Sequence, residues 1–517
     1  MGFCSVRSAA VFGLKVEFVN VEADVGNGLP IFHMVGYLSS EVKEAGERVR
    51  TAIRNSELDF PAKKIVINLS PATRKKRGAA FDLPIAVSIL ASLGEIPEER
   101  LETMLIVGEL SLDGKIQRVS GILPMVLAAR GAGLKYCLIP KANMSEGMLV
   151  EGIQIIGVEN LKEVYKYLKG EKEIKKGRKK HVKKGDEKEK SSESEPDYRD
   201  IYGQGVVKRA VEIAVAGGHN LLMIGPPGSG KSMTAKRIPT IFPPMTQEES
   251  MEVTKIYSIL GEVDEEEPLI RTRPFRSVHH TTTKRALVGG GGIPSPGEIS
   301  LAHCGVLFLD ELPEFQKNVL EVLRQPLEER EIRITRAQGV CLFPANFMLV
   351  AAMNPCPCGA YPSQKCTCTP GQIQHYLGKL SQPFLDRIDI CVETPRVEYE
   401  ALKIGRLSGS QEEGSAEIRR RVCKAREIQN SRYRGKRTLF NAMMSADDLE
   451  AYCVLGKEEE QLMREAFTKL ALTARSYHKI LKVARTIADL EGEKQIHSSH
   501  LAEAIGYRTM DKKYWGR

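Results

Sequence analysis

Eight residues from Gly225 to Ser232 read GPPGSGKS, a spacing G-x-x-x-x-G-K-[ST] that suits phosphate chemistry. Taken singly they are Gly225, Pro226, Pro227, Gly228, Ser229, Gly230, Lys231 and Ser232. Glycines let backbone N–H groups turn inward around phosphates, and the N-terminus of a following helix adds a favourable dipole. Lys231 would neutralise the β- and γ-phosphates of ATP, and Ser232 would ligate Mg²⁺. About 80 residues later the stretch GVLFLDEL delivers Asp310 and Glu311. Asp310 would hold the Mg²⁺ shell and Glu311 would polarise an attacking water. A second group, Cys356, Cys358, Cys366 and Cys368, lies in MNPCPCGAYPSQKCTCT. Four thiolates suit tetrahedral zinc and leave no open position, which argues against metal catalysis. A redox pair usually takes C-x-x-C near a thioredoxin-like unit, which is absent. Two readings stay open, a closed structural zinc site and four free thiols.

These side chains need strands to carry them. Asn220–Ile224 reads as a strand entering the glycine-rich turn, and a helix-compatible segment follows it. The apolar run Val306–Leu309 reads as a buried strand with Asp310 and Glu311 at its C-terminal edge, where such sheets bind ligands. FMLVAAMNP is a third buried strand ending in Asn354, whose amide could orient a lytic water or sense the γ-phosphate. FLDRID sets Arg387 between two acids, and LTARSYHKIL sets Arg475 at a helix start. Each arginine taken alone reads as a surface salt-bridge partner of little energetic consequence.

The whole chain has 517 residues, too many for one core. Its 42% hydrophobic and 27% charged residues are ordinary for a globular protein, and a net charge of +9 permits a nucleic-acid partner without requiring one. The N-terminus lacks the apolar core of a signal peptide. The longest uncharged run, Ala337–Gln364, is interrupted by prolines in a way a membrane span tolerates poorly. Eleven cysteines, an odd and mostly scattered set, point to a reducing compartment, so a cytoplasmic, multidomain protein without membrane contact is expected. Residues 169–197 are almost devoid of apolar side chains and read as a flexible linker, either a solvated tether or, in its basic half, a phosphate contact. Before it, residues 1–168 alternate short β-rich runs with helical patterns. After it comes an α/β region over 198–397, and residues 398–517 read as amphipathic helices.

The order of phosphate loop, D-E strand, Asn-ended strand, L-x-R-[IF]-D and A-R helix resembles an AAA+ ATPase. It is most similar to the helix-insert branch that includes magnesium-chelatase ATPase subunits and MCM helicases. RPFRSVHHTTTKRALVGGGGIPSPGEISLAHCGVLFLDELPEF, ANFMLVAAMNPCPCG and RSYHKILKVARTIADLEG further resemble the Mg-chelatase-like ComM/YifB family, and the resemblance spans nearly the whole chain. It implies an AAA+ P-loop α/β core and a helical C-terminal lid of the Mg-chelatase type. It also implies that Arg387 is an arginine finger acting on a neighbouring subunit's ATP, and that Arg475 is a sensor arginine acting on its own subunit's nucleotide. A finger acting in trans requires a homo-oligomeric ring, in this family most often a hexamer. The sequence departs from the family's HHTASDAALIGGG by reading HHTTTKRALVGGG, which puts Lys284 and Arg285 where the family has an acid and an alanine.

Gly108–Asn143 resembles the end of the Lon-type Ser-Lys protease domain, and Lys76–Asp82, KRGAAFD, resembles its nucleophile segment. The serine position is Ala80 and the lysine position Leu123. Without a nucleophile or its amine base, this α+β domain is expected to be proteolytically inactive and kept for assembly or substrate contact. The nearby RKKR, Arg74–Arg77, is either a phosphate contact or a solvated loop.

ComM-like proteins resemble hexameric helicases that drive DNA branch migration in recombination and natural transformation, so DNA is the expected partner. EEREIRITRAQGVCLFPANF reads as a hairpin with Arg333 and Arg336 near its tip, where basic side chains could track a backbone. Their odd spacing puts them on opposite strand faces, so exposed arginines on an ordinary hairpin are the other reading. A second basic set, Arg419–Arg421 with Arg432, Arg434, Lys436 and Arg437, is an interface or a solvated helix face. Two other classes stand beside the helicase: a chelatase-like motor remodelling a protein partner, and a nucleotide-gated scaffold.

Overall fold

The computed structural model describes residues 2–73, 75–174, 196–292, 294–336, 339–396 and 413–516. Of the expected linker, residues 175–195 lie outside this set, as do Arg74 of the RKKR run and residues 397–412 at the expected start of the lid.

The N-terminal region begins with long strands β1 (Phe3–Phe12) and β2 (Lys15–Gly26), then β3 (Phe32–Val35), helix α1 (Ala45–Asn55) and β4 (Lys64–Ser70). They form one sheet in the order β1-β2-β4-β3, antiparallel except for the β3–β4 pair. Strand alternation turns Val6, Val19, Val21, Ala23, Ile65, Ile67 and Leu69 inward. Against β1 and β2 packs α2 (Asp82–Ser92), in which every residue is buried. Its sequence DLPIAVSILAS is apolar on all sides, and such a helix can only exist inside a core. Its one charge, Asp82, receives two hydrogen bonds from the Arg48 guanidinium of α1, at 2.8 and 2.9 Å. Burial pushes the Asp82 carboxyl up, and Arg48 opposes that shift. A second, parallel sheet of β5 (Met104–Ile106), β6 (Tyr136–Pro140) and β7 (Gln154–Val158) completes this region with helices α3 (Ile122–Gly131) and α4 (Leu161–Lys169).

The central region contains α5 (Gly205–Gly217), β8 (Leu221–Ile224), α6 (Lys231–Arg237), α7 (Gln247–Leu260), β9 (Phe275–Val278) and β10 (Val306–Leu309). The hairpin β11 (Glu331–Arg336) and β12 (Gly339–Pro344) precedes β13 (Met348–Met353) and β14 (Ile390–Glu393). Five strands form an all-parallel sheet in the order β9-β10-β13-β8-β14. All residues of β8, β10 and β13 are buried, as parallel strands covered on both faces must be. Helices α8 (Ser415–Arg432), α9 (Lys457–Lys469), α10 (Ala474–Glu491), α11 (Ser498–Gly506) and α12 (Thr509–Trp515) follow. Ile418, Val422, Ile480, Ile487 and Leu501 share one hydrophobic cluster with Ile213 of α5 and with Met223, Val306 and Val350 of the sheet, so these helices do not form a core of their own.

The N-terminal region docks on the central one at several places, two of them buried. Phe12, at the β1–β2 turn, enters the cluster that holds Cys341 and Phe343 of the hairpin. At the start of α3, Gly121 N–H donates to Ser258 O of α7 at 2.7 Å, and the Ser258 hydroxyl donates to Glu146 at 2.5 Å. Glu146 is itself buried and also accepts from Leu123 N–H and the Asn143 side chain. Among the described residues, no helix is long and apolar enough to cross a membrane.

Candidate nucleotide site

The phosphate loop leaves the C-terminal end of β8, which lies between β13 and the edge strand β14 of the parallel sheet. Ile224 pairs with Met353 on one side and Glu393 on the other, so the loop opens beside Asn354 and Thr394. Gly225 passes so close to its neighbour that a Cβ there would stand 2.2 Å from Thr394 O. A side chain at this position would force the two strand ends apart. Lys231, at the first position of α6, is buried and curls back over the loop. Its ammonium donates to Gly225 O at 2.7 Å and Pro226 O at 2.9 Å, and lies 3.3 Å from the Asn354 amide oxygen. Burial pushes the Lys231 pKa down, and Asp310 pulls it back.

The next residue, Ser232, donates to Asp310 at 2.6 Å. This pairs two hard oxygen ligands at the end of β10, a donor set that suits Mg²⁺. Glu311 turns away from the strand in the left-handed region, with φ 51°, a conformation that a non-glycine residue adopts at an energetic cost. Its carboxylate reaches His280, just beyond β9, at 3.5 Å. The structure thus brings Lys231, Ser232, Asp310, Glu311 and Asn354 to one edge of three adjacent strands.

Arg387 and Arg475 lie at the opposite edge. Arg387 precedes β14, whose first residue Ile390 pairs with Leu221, the first residue of β8. The four strand residues alone span about 13 Å, at ~3.3 Å per residue. Arg387 is held by Pro383 O, at 2.9 Å, and by Glu328. Arg475 contacts Asp386 at 3.5 Å. Lys479, one helical turn further along α10, donates to Ile388 O at 2.7 Å. Arg475, expected to serve its own subunit's nucleotide, lies where α10 begins beside Arg387, at the edge of the sheet opposite the phosphate loop. The second acid of FLDRID explains the motif locally. Asp389 accepts from Asn220 N–H at 3.0 Å and pairs with Lys479 at 3.3 Å. Although burial pushes its carboxyl up, Lys479, His219 and the Asn220 N–H together hold it well below the usual range.

The four cysteines leave the Asn354 end of β13. The Sγ atoms of Cys356, Cys358 and Cys366 lie 3.4, 3.8 and 3.6 Å apart, and with Cys368 all four fall within 4.8 Å. A zinc ion with four Zn–S bonds of ~2.3 Å needs sulfurs about 3.8 Å apart, so the spacing fits. Backbone N–H groups of Ala360 and Thr367 hold the Cys358 thiol down to about 5, while the Cys358 and Cys356 thiols help push Cys366 and Cys368 up, and Tyr361 N–H points at Cys356 Sγ at 3.4 Å. Hydrogen bonds of this kind stabilise thiolates.

Elsewhere, the hairpin buries Ile332, Ile334, Cys341 and Phe343 and leaves Arg333 and Arg336 exposed. Alternation puts the two arginines on opposite faces, as their spacing requires. The buried face runs out beyond Ile334, which leaves Arg336 free to donate to Gly291 O at 3.4 Å. Arg77 and Arg285 approach the same glycine loop at Gly292 and Gly290. Much of the second basic set is spent inside the chain: Arg421 pairs with Glu212 and Glu413, Arg432 with Asp489, and Lys436 with Asp448. Ala80 lines a cavity of about 490 Å³ in the N-terminal region with Lys76 and Arg118, while Leu123 is fully buried in the core, so neither position offers a nucleophile or an amine.

Sequence reasoning missed several neighbours of the site. His280 sat unremarked in HHTTT, and Gln204, which donates to Ser229 O at 3.4 Å and Pro395 O at 2.9 Å, carried only a weak signal before a helix. Gly359 was equally silent. A Cβ there would stand 2.4 Å from Pro227 Cδ of the phosphate loop.

A parallel sheet with a phosphate loop on its first strand, an acidic pair on its third and an amide on its fourth defines a P-loop nucleotide-binding protein of the AAA+ class. Residues 197–402 match the family described as magnesium chelatase, subunit ChlI; residues 21–143 match subunit ChlI of Mg-chelatase, and residues 412–508 match the subunit's C-terminal region. Competence protein ComM of Haemophilus influenzae is 43% identical over 511 residues, covering 99% of this chain and 98% of that protein. Protein YifB of Salmonella typhimurium is 41% identical over 512 residues, covering 99% and 98%. An archaeal Lon protease of Methanocaldococcus jannaschii is 27% identical over 148 residues, 29% of this chain and 22% of that protein. The chain belongs to the ComM/YifB family of Mg-chelatase-like AAA+ proteins.

Proposed function

We propose that this chain is an ATP-hydrolysing ring motor that moves branched DNA. The observation that carries the ATPase reading is the convergence of Lys231, Ser232, Asp310, Glu311 and Asn354 at one sheet edge. Lys231 would leave the loop carbonyls for the β- and γ-phosphates. Ser232 and Asp310 would hold Mg²⁺, which when bound neutralises phosphate charge. Glu311 would take a proton from the attacking water, and Asn354 would orient that water or read the γ-phosphate. Arg387 and Arg475 lie together at the far edge, and in this reading both would serve the nucleotide of a neighbouring copy in a homo-oligomeric ring. The helices α8 to α12 act as a lid of the Mg-chelatase type, and the segments inserted around α7 and Lys284–Val288 fit the helix-insert branch.

The DNA reading draws on the kinship with a competence protein and on the exposed arginines of the hairpin. Arg336 and Arg77 bring their guanidinium groups to the glycine loop at Gly290 and Gly292, and the Arg285 stem packs beside Gly290, with no carboxylate within ion-pair distance of the three among the described residues. Converging cations without an acid repel one another unless a polyanion joins them.

The test is ATP-dependent migration of a labelled four-way DNA junction, with Lys231→Ala as control. Migration by the native protein and not by the variant supports the motor. Hydrolysis that DNA does not stimulate, with no junction movement, sinks it. Stimulation by a protein client alone would favour the chelatase-like remodelling motor.

A further inference from the structure

The four cysteines stand next to the phosphate loop, and the contact between them is tight. Asn354, whose amide oxygen touches Lys231, is two residues before Cys356. Cys356 is fully buried. Between the two C-x-C pairs the chain turns at Gly359 in the left-handed region, φ 76°, and presses its backbone onto Pro227. Tyr361, which follows, meets the Tyr514 ring edge-on at 6.2 Å, and the Tyr514 hydroxyl donates to Glu393 at the end of β14 at 2.5 Å. Glu393 pairs with Ile224, the last strand residue before the loop. The cysteine turn therefore touches the phosphate loop directly through Gly359, and reaches the strand beneath it through α12 and β14. Loops of this length without regular structure do not hold such a position unaided, because ordering each backbone residue costs ~1–2 kcal/mol.

We infer that Cys356, Cys358, Cys366 and Cys368 bind one zinc ion, and that this metal locks the turn against Pro227 so that the phosphate loop keeps its nucleotide-binding shape. The site is closed, with four thiolates and no position for substrate, so the ion acts on geometry and not on the reaction. Thiol protons leave on binding, and loss of the ion frees the turn to withdraw Gly359 from Pro227 and to displace Asn354. If the freed loop is competent about one tenth of the time, nucleotide affinity falls about tenfold. The inference extends the ATPase reading and is independent of the DNA reading.

The experiment uses the full-length protein purified under reducing conditions. Zinc is measured by elemental analysis, and binding is followed with a fluorescent ADP analogue before and after treatment with a strong chelator, then after zinc is restored. The expected result is one zinc per chain, a weakening of about tenfold on its removal, and recovery on its return. Gly359→Ala is the second arm: it should retain zinc yet bind the analogue more weakly, because the added Cβ collides with Pro227. Purified protein without zinc that takes up none overturns the metal site. Affinity that is the same with and without zinc overturns the coupling even if the metal is present. Zinc-loaded protein that binds no analogue at all overturns the ATPase reading together with the coupling. Cys366→Ser paired with Cys368→Ser should copy the chelated state, and if that variant fails to fold, the chelation series on native protein still decides.

Discussion

Glu311 sits at the end of β10 in a backbone conformation that costs energy, with its carboxylate beside His280. Strain of this kind, at the residue proposed to handle the lytic water, fits a side chain that must change position between resting and working states. Glu311→Gln keeps shape and removes the base, so it should bind ATP as the native protein does while kcat falls by about 10²–10⁴. Equal losses in binding and turnover would instead mark Glu311 as a structural residue. His280→Ala removes the partner that holds the carboxylate aside and should raise basal hydrolysis in steady-state assays. An unchanged rate would mean that the contact exerts no restraint.

Helix α10 carries two kinds of residue on one turn, and the difference decides how elements work together. Lys479 is committed to its own chain through Ile388 O and Asp389, whereas Arg475 is exposed with one contact at 3.5 Å. Arg387 is largely enclosed yet held by the exposed carboxylate of Glu328, a partner that another anion could displace. Both arginines belong to an edge that the chain's own phosphate loop does not reach. Arg387→Ala should therefore lower hydrolysis by about 10³-fold or more while each copy still binds nucleotide. Mixing it with Lys231→Ala protein should restore part of the activity, because some interfaces then pair an intact loop with an intact arginine. No recovery in the mixture, with both variants still assembling, would argue that the arginine acts within its own chain.

At the scale of the whole molecule, the N-terminal region works as a brace. Phe12 supports the hairpin from below, and Gly121, Leu123, Asn143, Glu146 and Ser258 form a buried hydrogen-bonded joint with α7. Leu123, at the position a Lon-type protease gives to its lysine, now contributes its backbone N–H to that joint. Glu146→Ala leaves those donors without an acceptor and should destabilise the joint by about 1–3 kcal/mol, read as a lower melting temperature. If the melting temperature does not move, the joint is not what holds the two regions together. The brace also brings Arg77 to the glycine loop beside Arg336. If DNA follows that surface, Arg77→Ala should reduce the slope of log affinity against log salt by about 1, as loss of one phosphate contact does. An unchanged slope would remove the N-terminal region from the DNA path.

Beyond the missing protease dyad, which only the resemblance to Lon-type domains made legible, residue types at fixed spacing by themselves determined the phosphate loop, the acidic pair and the apolar strands that carry them. Each of these rests on neighbours a few residues apart, where local geometry leaves little choice. The spacing of the two C-x-C pairs was legible in the same way, since tetrahedral thiolate coordination needs only a short loop. Tertiary structure alone decided which edge of the sheet each arginine occupies. Arg475 follows the strands by a long helical stretch, and nothing in its motif says where α10 begins relative to β14. It also decided that Gly359 presses on Pro227, that His280 faces Glu311 and that Phe12 enters a core more than three hundred residues away in sequence. Contacts of that kind arise from packing between elements, and a linear pattern records the surfaces that must be buried without naming what buries them.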